Sequence, residues 1–396
     1  MKTKRHIVEA IAMLLALCFA FALVLRNGGT ASGYPAGPTP TPSHPQGLVP
    51  RAYLPLVDKN YPLPQPPGYW TETEYVDTTS SLPDLAMSLG ITDSNPAMQP
   101  DRIMVLDFGG QFQSGGQWGT YQIFSSTFDS HAQIVSTVFN VALNYWEFTG
   151  NARASHLTIG VGTNNAYISD GQPATDRGNE WAGMVNEINQ NIASYDVQNS
   201  ADITSQVTVL GANDIEDWGT YPATSTWMQA YMNTSSCIPG SYENKCLVDF
   251  GNSAGCTAII GSTNETCNGG WTVGDVLLMG SAIQRTNDVY RFIVTVPEIY
   301  DTGGTLAHEW ANVSLWGVNH GYQPIWFAGT LTQWTRCQDL GVNCGTLNAK
   351  PSTGWCELQA ALTTRDEITQ LAFRWMTDIN RQKYAGQSQP GIQQCP

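Results

Sequence analysis

The sequence predicts a (β/α)8 barrel of the TIM type, and three observations predict it. Apolar runs of strand length recur along the chain, helix-like segments separate many of them, and together they fill about 280 residues, the size of such a barrel. Seven runs stand out: 103–108 (IMVLDF), 156–161 (HLTIGV), 207–212 (VTVLGA), 246–250 (CLVDF), 276–282 (VLLMGSA), 292–300 (FIVTVPEIY) and 324–328 (PIWFA). Most are continuously apolar rather than alternating, the pattern of strands buried on both faces. Helix-like segments fall at about 130–148, 179–195, 223–232, 305–315 and 364–381. Strands alternating with helices predict a parallel sheet with the helices outside. An open, doubly wound sheet is the alternative, and no internal repeat is visible.

Taken in order, the chain opens with a basic stretch and an apolar run from Ile7 to Leu25, broken only by Glu9. Residues 1–26 therefore read as a signal peptide or an uncleaved signal anchor. Cys18 lies inside that run. Residues 27–68 read as a linker, because 11 of the 22 prolines lie between Tyr34 and Gly68. Such a spacer is extended and polyproline-like. It includes RAYLPLVDKNYP at 51–62, to which no chemistry is assigned. A globular domain is expected over 69–382 and a short tail over 383–396.

Composition narrows the partners. Charged residues make up 13% of the chain and aromatic residues 10%, with 38 glycines. Setting aside Lys2, Lys4, Arg5, Arg26 and Glu9, 14 basic and 32 acidic side chains are left, a net charge of −18. Such a surface repels phosphate backbones and anionic lipid heads, so no nucleic acid is expected and membrane contact only through the leader. Eight cysteines outside the leader predict up to four disulfides in an exported protein. Short loops close most easily, so the simplest pairing is Cys237 with Cys246, Cys256 with Cys267, Cys337 with Cys344 and Cys356 with Cys395. No C-x-x-C pair marks a zinc site, and neither a metal nor a cofactor is expected.

In a barrel, functional groups sit where strands end. Asp107 closes the first apolar run, Asp214 and Glu216 follow the third, and Glu298 ends the sixth. If the strand runs on through Asp214 and Glu216, both face the same side, roughly 6.5–7 Å apart at Cα. Two carboxylates so placed, one of them kept protonated by burial and by its neighbour, are what glycoside hydrolysis requires. The plainer alternative makes Asp214 the cap of the next helix. Trp118, Tyr121, Trp218, Tyr300, Trp326 and Trp334 lie in loops or at strand ends and could offer rings to sugar faces. Of these, Trp218, Tyr300 and Trp326, together with Asn213, are the expected substrate-binding residues.

Asp107, the D-x-E at Asp214–Glu216 and the P-x-I-Y segment from Pro297 to Tyr300 resemble family 25 glycoside hydrolases, the muramidases, and related barrels of secreted bacterial proteins. The resemblance could span Arg102 to about Arg381. It implies Glu216 as the acid, with Asp214 and Asp107 assisting. Two features depart from it: Gly211-Ala212-Asn213 precede the D-x-E where those enzymes have an apolar strand, and Glu298 has no counterpart.

A rival motif is Gly251-Asn252-Ser253-Ala254-Gly255, which fits the G-x-S-x-G elbow of esterases, with His308 and His320 downstream. His308-Glu309 lacks the second histidine of a zinc protease, and Gly160-x-Gly162 lacks the third glycine of a dinucleotide site. The expectation is thus an extracellular or cell-surface monomer that cleaves cell-wall or environmental polysaccharide, peptidoglycan included. A non-catalytic glycan-binding module and a serine esterase on Ser253 are the alternatives.

Overall fold

The computed structural model describes residues 63–77, 80–95, 97, 100–150, 154–239, 243–281, 283–286, 289–340, 344–380 and 391–396. The expected leader, Cys18, the segment RAYLPLVDKNYP and most of the linker lie outside them. Among the described residues no helix is long and apolar enough to cross a membrane.

Eight parallel strands form the barrel: β1 (Thr71–Tyr75), β2 (Asp101–Ser114), β3 (His156–Asn164), β4 (Val207–Asp214), β5 (Glu243–Asp249), β6 (Val289–Thr295), β7 (Gly329–Thr332) and β8 (Trp375–Asn380). Each pairs with the strand before it in sequence, except where β6 meets β7, and β1 pairs with β8. The continuation of β6 closes the ring. Thr295 bridges Phe327 and Glu298 bridges Leu331, and the Leu331 N–H donates to the Pro297 carbonyl at 2.9 Å. Helices α1 (Leu82–Asp93), α2 (His131–Thr149), α3 (Gln172–Asn199), α4 (Tyr221–Thr234), α5 (Val273–Ser281) and α6 (Thr305–Asn319) each follow one strand, and α7 (Trp334–Leu340) and α8 (Pro351–Thr363) both follow β7. The predicted (β/α)8 barrel is the observed architecture, and the doubly wound alternative falls.

Several boundaries differ from the sequence reading. Of the run 276–282, residues 276–281 are helical, forming most of α5; a short, mostly buried apolar run reads the same as strand or helix. The run 324–328 precedes β7 instead of forming it. Of the expected helix over 364–381, residues 364–380 hold instead a 3-10 turn and β8.

Two cores result. Inside the barrel Ile103, Val105, Leu210, Ala212, Val248, Phe250, Val294 and Val296 pack together, while the larger cluster fills the layer between strands and helices. Gly160 and Gly162 belong to the narrow part of the wall: a Cβ on Gly162 would stand 3.0 Å from the Asp107 Cα and 3.2 Å from the Phe250 ring. The four disulfides are those of the local pairing, and they indicate an oxidising compartment. Cys356–Cys395 ties residues 391–396 to α8, and the Cys395 N–H donates to Gln65 Oε1 at 2.9 Å. The expected tail is therefore partly fastened to the barrel.

Candidate active site

The acids that end the strands meet at the carboxyl mouth of the barrel. Asp214 is the last residue of β4, in inward register with Leu210 and Ala212. The segment Gly211-Ala212-Asn213 is part of that strand, so the D-x-E does follow a strand directly. Glu216 lies two residues further on, and its backbone is pinned from both sides. Its N–H donates to Asn165 Oδ1 (3.2 Å), and its carbonyl accepts from Asn165 Nδ2 (2.7 Å). Glu298 stands on the β6 continuation that closes the ring. One carboxylate oxygen from each of Asp214, Glu216 and Glu298 lies within 4.8 Å of the other two.

Burial and mutual repulsion set the protonation of this cluster. Burial, then the Glu216 and Glu298 charges, hold Asp214 well above the usual carboxylate range. Its Oδ1 has no partner among the described residues, and Oδ2 accepts a long bond from the Tyr75 hydroxyl (3.4 Å). Burial likewise raises Glu298, aided by the charge of Glu216, against a 2.5 Å bond from the Tyr300 hydroxyl that favours the anion. Glu216 is the more open of the three. Burial and Asp217 push it up to about 7, while Asn252 Nδ2 at 2.6 Å and Trp218 bond to the carboxylate and oppose the rise. Three carboxyls this close need a proton or a cation among them to offset their mutual repulsion. The same three oxygens are of the hard type that a divalent cation takes.

Asp107 faces the barrel interior on β2, and its charge reaches both Asp214 and Glu216. Burial pushes it up to about 7; Oδ1 accepts the Gly109 N–H at 2.8 Å. It does not end its strand, which runs on to Ser114 after a bulge at Gly109. A side chain there would be strained by a φ of 90° and would collide with the Tyr121 carbonyl.

Trp218 is 75% exposed beside Glu216, and Tyr300 holds Glu298, so two of the expected substrate-binding residues are at the mouth. Asn213 and Trp326 are corrections. Asn213 alternates with Asp214 and so lies on the outer face of β4, buried, with neither amide atom bonded among the described residues. Trp326 comes before β7, and its ring packs 5.3 Å from the Lys245 ammonium, near the strand beginnings, with the Trp375 ring 6.0 Å from the same ammonium. Asp214 does not cap the next helix; the Thr220 hydroxyl does, accepting from the Ala223 N–H.

The esterase geometry is not present. Ser253 is fully buried and donates its hydroxyl to Glu309 Oε2 at 2.5 Å. His308 instead faces Ala258, Ile260, Thr364 and Arg365, and His320 stacks on Trp316.

Sequence reasoning missed Tyr75 and Asp249. Asp249 ends β5 but faces outward, beside a cavity of ≈ 10 Å³ lined by Ile215, Trp271, Val276 and Trp310, and burial pushes it up to about 8. Buried acids of this kind make stability fall with rising pH. Asp107 and Asp249 have folded-state values near 7 and 8, well above the unfolded value of about 3.9, so the folded state binds more protons between those limits. The thermal midpoint is expected to be highest at or below about pH 4 as far as these groups decide it, and to fall as pH rises towards 8. Asp249→Asn should flatten that slope in a pH series of melting curves; an unchanged slope would remove Asp249 from the account.

No protein-family model and no curated protein matches the chain. Among solved structures it is similar to the endo-1,4-beta-mannanase from Rhizomucor miehei, at 12% identity over 81% of this chain and 88% of that one, with a TM-score of 0.35.

Proposed function

We propose that this barrel hydrolyses a glycosidic bond in a polysaccharide outside the cytoplasm. The observation that carries the reading is the meeting of Asp214, Glu216 and Glu298 oxygens within 4.8 Å at the carboxyl mouth. Glu216, protonated near neutral pH and open to the mouth, gives its proton to the bridging oxygen as the bond from that oxygen to the anomeric carbon breaks. Glu298 reacts in its anionic form, which the Tyr300 hydroxyl favours against the upward pull of burial, and forms a bond to the same carbon. Asp214, neutral, lets that anion persist beside it, and Asp107 adds to the field that keeps protons in the cluster. Water, giving a proton back to Glu216, then displaces Glu298.

Carboxyls closer than about 5.5 Å leave no room for a water between base and sugar, so the anomeric configuration should be retained. Proton NMR of the first product formed from a polymer substrate reads this directly, and an inverted product would exclude Glu298 as nucleophile. Reducing-sugar release tested beside glycan binding decides the larger question. Release supports hydrolysis. Binding without release supports the non-catalytic module instead. The resemblance to family 25 muramidases contributes the acid role of Glu216, and peptidoglycan is accordingly one of the polymers to test.

A further inference from the structure

Tyr167 combines two features that fold stability alone would remove. It is 71% exposed, and its φ is 96°, a region that non-glycine residues rarely occupy. A bulky residue is strained there and persists only where the surroundings enforce it. Here they do. The loop after β3 is fixed by the Asn165 N–H to the Asp214 carbonyl (3.3 Å), by the Ala166 N–H to Asn164 Oδ1 (3.1 Å), and by the two-sided Asn165 grip on Glu216.

The ring that results is braced from behind. It lies 5.6 Å from the Phe112 ring, which meets Tyr121 at 5.3 Å, and Tyr121 meets Phe128 at 5.2 Å. The hairpin of Gln117–Tyr121 and Phe128–Ser130 thus serves as its support. Below it is Gly110, where an added Cβ would sit 3.3 Å from the Tyr167 ring, three residues past Asp107. The platform is therefore at the mouth, on a loop bonded to the Glu216 backbone and against the strand that carries Asp107.

We infer that Tyr167 forms a sugar-stacking subsite beside the cleavage point and that it takes a neutral pyranose. The occupant follows from the setting. A rigid, supported aromatic face matches the C–H-rich face of a sugar ring. The net charge of −18 outside the leader opposes a uronic acid at that position. This inference rests on the hydrolase reading above and adds a named binding position to it.

The test uses the full chain carrying Glu216→Gln, so that ligand survives, and titration calorimetry with β-1,4-linked hexasaccharides of glucose, mannose, xylose and N-acetylglucosamine. An oligogalacturonide is the charged control. At least one neutral hexasaccharide should bind, and the oligogalacturonide should bind at least tenfold more weakly. Adding Tyr167→Ala should weaken the neutral ligand about tenfold or more, while Tyr167→Phe should stay within about twofold. Tyr167→Gly, which frees the backbone at this φ, should lose binding with no fall in melting temperature, a split that a merely structural role would not give. Equal affinity in the Ala variant, a Phe variant as weak as Ala, or no binding to any neutral hexasaccharide overturns the subsite. If unmodified protein nevertheless releases reducing sugar, only the subsite falls. If hexasaccharides bind through Tyr167 but no sugar is released, the hydrolase reading falls and the subsite stands.

Discussion

Glu216→Gln should lower turnover by between about 10²- and 10⁴-fold while leaving the fold intact. The amide fills the same space and can still accept from Asn252, whose Nδ2 lies 2.6 Å from Glu216 Oε1. What it lacks is a proton to give. Since burial sets Glu216 near 7, the unmodified protein should lose activity as pH rises through about 7, close to tenfold per pH unit beyond it. The residual rate of the variant should not show that limb. Initial rates from pH 4 to 9 on both proteins, with circular dichroism to verify folding, make the comparison. A variant as active as the parent would end the assignment.

The largest effect on stability should come from a residue far from the mouth. Asp93 closes α1 and is fully buried. It takes Arg102 Nε on both oxygens (2.9 and 2.8 Å), Nη2 at 2.7 Å and the Tyr145 hydroxyl at 3.0 Å. Arg102 also donates from Nη1 to the Trp70 carbonyl at 2.6 Å. One ion pair thus fastens α1 and α2 to β2 and to the residue before β1. Asp93→Ala should cost about 3–5 kcal/mol, because it leaves the guanidinium buried without its counter-charge. That is a large part of what holds an ordinary domain folded. The double change Asp93→Leu with Arg102→Met should recover much of the loss, since it removes both charges together. Urea unfolding measures all three. A single variant within about 1 kcal/mol of the parent would mean that water reaches this pair.

The parts of the fold that were legible in the sequence were those where chemistry and burial agree. IMVLDF, HLTIGV and VTVLGA are strands because both their faces are covered, and the cysteine pairs follow from short loops. β1 (TETEY) and β8 (WMTDIN) were hidden, because their inward faces are partly polar: beside Tyr75, Trp375 and Ile379, the Thr73 and Thr377 hydroxyls bond to each other at 2.7 Å across the β1–β8 seam. Hydrophobicity cannot flag a strand whose inward side chains satisfy one another.

The same logic governs the site. Asp107, Asp214, Glu216 and Glu298 stand out in the sequence as candidates at the ends of apolar runs, whereas Asp249 does not, although it repeats the pattern of Asp107. Both precede Phe-Gly, and each carboxylate accepts the N–H of that glycine. What differs is register. Val105 lines the barrel on β2, so Asp107 points in; Val248 and Phe250 line it on β5, so Asp249 points out. A shift of one residue exchanges the faces of a strand, and nothing local in the sequence records it. Trp326 went astray for the related reason that β7 begins later than the apolar run implied.

Because β1 lies against β8 and Gln65 is bonded to Cys395, the polypeptide enters and leaves the shell at one corner. A mechanical load applied at that entry is taken up by the parallel seams of β1 with β8 and β2 pulled in shear, not by an edge that can unzip. The same adjacency makes the molecule a good subject for circular permutation: a short bridge could join residues 65 and 395, and new ends could be opened in a surface loop away from the mouth.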